Sequence, residues 1–205
     1  MEPFQLQTAG RPVHLPKMFS ILTDRLPDTV IVDGEKCLIN TDFKRWIIFE
    51  TVLTDGRINK EDKLAVVLPV CLKKIPSDIE KALKACIDFY RGNDKKADEN
   101  ESAGKPVYSF LYDADLIFSS FMSQYGIDLS TEDMHWYKFK ALFKGLKADS
   151  KLVEVMQIRN MDLSEIKDRE IKSRYRELKK IWQLPDLRSN EEKEAEFIKT
   201  VGQIF

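Results

Sequence analysis

Residues 134–146 read MHWYKFKALFKGL, and the way this stretch folds decides what the rest of the chain is built around. Trp136, Phe139 and Phe143 recur three and four positions apart, which is the spacing of one helical face. Met134, Tyr137 and Leu142 add apolar surface on the flanks, so more than half of the helix circumference is greasy. Ser130 with Asp133 resembles a capping box at its start, and Gly145 is placed to end it. A helix apolar nearly all round belongs either at the centre of a core or in an interface. Core burial is the preferred reading here, and the same helix is the strongest interface candidate in the chain.

Upstream, residues 107–129 open with Val107-Tyr108-Ser109-Phe110, a short strand-like run. Asp113 is expected to cap a helix carrying Leu116 or Ile117, Phe121 and Tyr125, with Gly126 as its stop. Downstream, a helix is expected from about Asp149 to Ile158. Asp162 with Glu165 is expected to start another, bearing Ile171, Tyr175, Leu178 and Trp182 and ended by Leu184-Pro185-Asp186. Asn190 can cap a last amphipathic helix with Ile198, Val201 and Phe205 on one side. Short terminal segments of this kind dock onto a partner or fray.

The first half starts with a proline-bearing, aperiodic stretch over residues 1–17, read as an extended arm or as an upstream start in front of Met18, and one helical turn is expected over Met18–Asp24. Thr29 to Asn40 read TVIVDGEKCLIN. Asp33-Gly34 between two β-rich runs predicts a hairpin with strands at 29–32 and 36–39, because both turn residues tolerate positive φ. Asn40 or Thr41 is expected to cap a first helix with the stripe Phe43, Trp46, Phe49 and Leu53. A second helix begins at Asn59 and must kink or end early at Pro69. A third follows the capping box Ser77–Glu80, shows Ile79, Leu83, Cys86 and Tyr90 on one face, and stops at Gly92. The organisation is an arm (1–17), a hairpin with helices (18–91), a polar linker (92–106), a helical half (107–186) and a tail (187–205). The predicted fold class is mostly α: a bundle-like protein of about seven or eight helices with one small N-terminal β-hairpin.

The chain has 205 residues, 43% hydrophobic and 33% charged, with a formal net charge of -1. A sizeable core is possible, and no overall charge draws the chain to nucleic acid or an anionic membrane. The longest apolar run, Leu64 to Leu72, is interrupted by Pro69 and is too short to span a bilayer. Neither a signal peptide nor export is expected. Cys37, Cys71 and Cys86 are odd in number and far apart, so a reducing compartment is expected rather than a disulfide framework.

Motifs that carry chemistry are sparse. His14 lies in the arm, and His135 lacks partners in sequence, so a surface or core-edge histidine is the preferred reading. No cysteine has zinc-ligand spacing, and no phosphate loop or nucleophile elbow is present. Thr54-Asp55-Gly56-Arg57 resembles the middle of a calcium loop, but the required oxygen ligands are missing around it and a plain turn is expected. Asp113 and Asp115 read better as cap and first-turn acid than as a catalytic or metal-binding pair. The charged run Lys167–Lys180 mixes both signs and reads as a solvated face. No catalytic residue, cofactor site or metal site is expected.

Several stretches together carry a resemblance: MFSILTDRLPDTVIVDG (18–34) with INTDFKRW (39–46), PSDIEKAL (76–83) with IDFYRG (87–92), VYSFLYDADLIFSSFMSQYGIDL (107–129), MHWYKFKALFKGL (134–146) and RELKKIWQLPD (176–186). Over residues 18 to 186 the chain resembles a family of siphophage and prophage proteins of low-GC Gram-positive bacteria, called gene product fifteen after one member. Genes of this family typically sit beside the tape-measure gene. The resemblance implies a tail-assembly chaperone role in the host cytoplasm, with the tape-measure protein and tail-tube protein as partners and homo-oligomerisation possible. It supplies no catalytic residues. The motif aromatics Tyr112, Tyr125, Trp136, Phe139 and Phe143 are the binding candidates by position, and Met134, Ile198, Val201 and Phe205 join them as apolar helix residues. Rival readings are a minor structural tail or connector protein of the virion, and a nucleic-acid-binding accessory protein using the 167–180 run.

Overall fold

In the computed structural model, residues 20–92 and 106–188 are described. The expectations for the arm, the linker interior and the tail helix with Ile198, Val201 and Phe205 fall outside these residues. The order of elements is β1 (Thr29–Val32), β2 (Glu35–Leu38), α1 (Phe43–Thr54), α2 (Lys60–Cys71), α3 (Ile79–Arg91), α4 (Ala114–Tyr125), α5 (Trp136–Lys144), α6 (Lys151–Asn160) and α7 (Arg169–Ile181). The fold is mostly α with one small hairpin, as the periodicities predict.

The hairpin forms around Asp33-Gly34, whose φ angles of 54° and 82° are both positive, as a two-residue turn of this kind requires. Val32 therefore pairs with Glu35, and the second strand starts one residue earlier than expected. Ile39 leaves the strand and bridges Leu72 instead.

Helix starts are where neighbouring candidates compete. Asp42, not Asn40 or Thr41, caps α1 by accepting from the Lys44 N–H. Asn40 is used elsewhere: its side chain donates to the Val70 carbonyl, and its own carbonyl accepts from Trp46 Nε1. Asn59 caps α2 as expected, but that helix continues two residues past Pro69 to Cys71. Asp78, not Ser77, caps α3, and a carboxylate there also meets the helix dipole. The buried face of α3 is Ala82, Cys86 and Phe89, rotated from the expected stripe, with Ile79 at its edge and exposed. Ser150 caps α6. The Asp162–Glu165 start is displaced: Asp162 accepts from the Ser164 N–H in a local turn, which competes with helix. Asp168 caps α7 instead.

Val107–Phe110 is not a strand. Among the described residues it has no strand to pair with, and its rings pack inward, Phe110 being buried and Tyr108 lying 5.1 Å from Phe143 by ring centroids.

The core sits where the starts of α1 and α5 meet. Phe43 N–H donates to Met134 O at 2.9 Å, and Trp136 N–H donates to Thr41 O at 2.7 Å, so the two entry segments pair main chain to main chain. Behind this clasp, Phe139 stacks on Phe43 at 4.7 Å and on Phe121 at 5.2 Å. Trp46 stacks on Phe89 at 4.8 Å, and Trp136 on Tyr90 at 5.1 Å. The polar ends of the rings are satisfied on α3: Trp136 Nε1 donates to Tyr90 O, and Tyr137 Oη donates to Phe89 O. Among the described residues no buried side-chain nitrogen or oxygen lacks a partner.

Candidate interaction surface

Helix α5 is central, not peripheral. Trp136 is 1% and Phe139 0% exposed, and Met134 and Tyr137 are buried beside them. Met134 precedes the helix, because His135 is the N-cap: its Nδ1 accepts from the Tyr137 N–H while Nε2 donates to Pro27 O at 3.0 Å. Ser130 instead donates to the Asp128 carboxylate, so the anticipated capping box does not form. The two hydrogen bonds of His135 require the neutral ring with its proton on Nε2. Burial pushes its pKa below the ordinary histidine value, and the bond to Pro27 opposes that shift.

The sequence-derived binding candidates therefore separate. Trp136, Phe139 and Met134 are core residues that a partner docking on this fold does not touch. Phe143 is half-buried among Tyr108, Phe110 and Phe139. Tyr125 is half-buried, and its hydroxyl donates to Leu142 O. Tyr112 alone among the described candidates is well exposed, at 44%.

Exposed apolar side chains missed by the sequence reading gather near Tyr112. Leu111 is 54%, Phe118 37% and Met122 40% exposed. Asp115, Phe118 and Met122 follow the spacing three and four, which places them on one side of α4, and Leu111 lies in the turn just before it. The opposite side is buried through Ile117 and Phe121. The signal was present in LYDADLIFSSFM: once one face is assigned to the core, three large apolar residues remain on the other.

Asp113 stands at the N-cap of α4 and Asp115 in its first turn, as expected, but the Asp113 side chain makes no capping bond. The Asp113 carboxylate accepts from Ser109 N–H and from the two terminal guanidinium nitrogens of Arg159 at 2.6 and 2.8 Å. Arg159 also donates to Val107 O and Trp182 O. This buried pair ties α6 to the start of α4 and the end of α7. It leaves no acid pair for chemistry.

The calcium-like turn after α1 is likewise structural. Both Asp55 oxygens accept from Arg57, whose hydrogen bonds hold the carboxyl at about 2. Gly56 N–H donates to Leu187 O at 2.8 Å. The turn thus ties the last described residues to the end of α1.

The remaining features are weaker. An open cleft of about 590 Å³ lies beside Asp42, Arg45, Asp133 and His135. Asp42 and His135, which face it, are already committed to the caps of α1 and α5. Helix α7 carries the mixed charges of 167–180 and has no buried residue. Lys179 donates to Met161 O, and Lys180 pairs with Glu177. Among the described residues no group of three His, Cys, Asp or Glu side chains is placed to hold a metal ion. No helix of the described residues is long and apolar enough to cross a membrane.

The class these observations define is a mostly α protein built on one buried aromatic helix, with an apolar helix face left outside. Residues 22–184 match the family described as Bacteriophage Gp15 protein. The chain belongs to that family and is a phage-type protein. No curated protein and no solved structure matches it.

Proposed function

We propose that this protein is a tail-assembly chaperone-like factor that acts by binding other proteins rather than by catalysis. It works in the cytoplasm of the bacterial host. Its partners are the tape-measure protein and, during tail growth, the tail-tube subunits. The observation that carries the reading is the outward stripe Leu111, Phe118 and Met122 on a member of this phage family.

The physical logic runs from the side chains upward. A long helical substrate exposes amphipathic faces before assembly, and an apolar helix face can receive them in helix-to-groove fashion. Phenylalanine supplies area, and methionine adapts its shape to unlike neighbours. A surface this small binds modestly, so that tube subunits can displace it. Several copies along one substrate restore avidity without strong single contacts.

Co-expression tests the proposal. The tape-measure protein should be more soluble with the wild-type chain and less so with Phe118→Asp/Met122→Asp. No gain from the wild-type chain contradicts the role. A chaperone should also be absent from purified particles when their proteins are identified by mass spectrometry.

A further inference from the structure

We propose that the outer edge of β1, Thr29–Val32, is a pairing surface for a second copy of this chain. Among the described residues the sheet has two strands, and such a ribbon is marginal by itself. Its two edges are finished differently. On the β2 side, Lys73 N–H donates to Leu38 O at 3.2 Å and Asn40 N–H to Cys71 O at 2.7 Å, and Lys36 stands on that edge. On the β1 side there is no such cover among the described residues. Ile39 N–H donates to Asp28 O, so Asp28, Val30 and Val32 turn their main chains toward β2. The alternation of an antiparallel ladder then turns the main chains of Thr29 and Ile31 outward. No hydrogen bond from the described residues reaches either of them there. The edge reads TVIV, with no charge, proline or bulge, the features that ordinarily keep an edge unpaired.

This edge also fits a copy of itself. An antiparallel pairing centred on Val30 sets Thr29 opposite the partner's Ile31, and Ile31 opposite the partner's Thr29. Each of these pairs exchanges two main-chain hydrogen bonds, so the outward groups of both strands are all used. Moving the centre to Thr29 brings in Pro27, which has no N–H. Moving it to Ile31 brings in Asp33, which belongs to the turn. With the centre at Val30, Asp28 falls opposite the partner's Val32, so no like charges meet. Ile31 and Leu38, 58% and 54% exposed, lie on one face of the hairpin and would share one face of the joined sheet. A contact of four residues a side is small and binds weakly, so the pairing depends on concentration.

The pairing concerns this chain alone, whatever else it binds. It and the chaperone role can therefore fail separately.

Sedimentation equilibrium of the full chain over a concentration series tests it. The wild type should show a monomer–dimer equilibrium. Ile31→Pro removes an outward N–H that the hairpin does not use, so the strand tolerates it. It should weaken the dimer at least about tenfold, with an unchanged circular dichroism spectrum. Two double variants test the register, and they decide the matter if the proline variant fails to fold. Thr29→Lys/Ile31→Lys sets like charges across the axis and should stay monomeric. Thr29→Lys/Ile31→Glu sets opposite charges there and should dimerise. A wild type that is monomeric throughout overturns the proposal. So does a dimer that survives Ile31→Pro, or a pair of double variants that behave alike, because the contact then lies elsewhere.

Discussion

At the scale of residues, two side chains concentrate long-range order. Arg159 is 9% and Asp113 3% exposed at the side chain, so removing either charge strands the other in a poor solvent. Arg159→Met should cost about 3–5 kcal/mol in urea unfolding. Adding Asp113→Leu should recover part of that loss. A near-neutral single substitution would show that the pair does not bear on stability. His135 supplies a pH dependence with a definite sign. Its folded pKa lies below the ordinary 6.5 because of burial, so the unfolded chain binds the proton more readily. Its contribution is complete above about pH 6.5 and is lost as pH falls through the window between that value and the folded pKa. His135→Asn keeps a capping side chain that does not titrate. The wild type should therefore lose more stability than this variant between pH 7 and 5, and parallel curves would remove His135 from the account. Gly92 combines φ of 60° with a position where a Cβ would lie 2.8 Å from the Tyr137 ring. Gly92→Ala should cost about 1–3 kcal/mol by chemical denaturation.

At the scale of elements, α4 and α5 use the same residue types to opposite ends. Trp136→Ala should destabilise by about 3–5 kcal/mol, since it empties the centre of the core. Phe118→Ser should cost at most about 1 kcal/mol, as surface changes do. Equal costs would mean that the outward face is not outward. The contrast also shows how far sequence reasoning reaches. Phe43, Trp46 and Phe49 were legible because period and stop signals agreed, and the hairpin because Asp33-Gly34 admits few alternatives. Caps shifted by a residue where Thr41 and Asp42, or Ser77 and Asp78, stand side by side, and a one-dimensional pattern does not choose between them. The N-cap position of Asp113 was legible, but the partner of its side chain lies 46 residues away and was not. Helix α5 looked like core or interface because an all-round apolar wheel is the same in both. Only the packing of Phe43, Phe89 and Phe121 against it decides for core, which moves the search for a surface to exposed apolar residues such as those of α4.

At the scale of the whole molecule, the parts on either side of residues 93–105 interlock rather than sit apart. The paired entries of α1 and α5, the Tyr137 bond to Phe89 O and the Trp46–Trp136 approach at 6.4 Å all cross from one to the other. Unfolding followed by tryptophan fluorescence and by far-ultraviolet circular dichroism should therefore give coincident transitions. A protein assembled this way spends its aromatic helix on its own stability and leaves Phe118 and Met122 of α4 outward. The most direct measurement is the affinity of the tape-measure protein for the purified wild-type chain and for Phe118→Asp/Met122→Asp, at matched unfolding midpoints. The account predicts measurable binding by the wild type and at least about a tenfold weakening in the variant, equivalent to about 1.4 kcal/mol. Equal affinity for both proteins would contradict it.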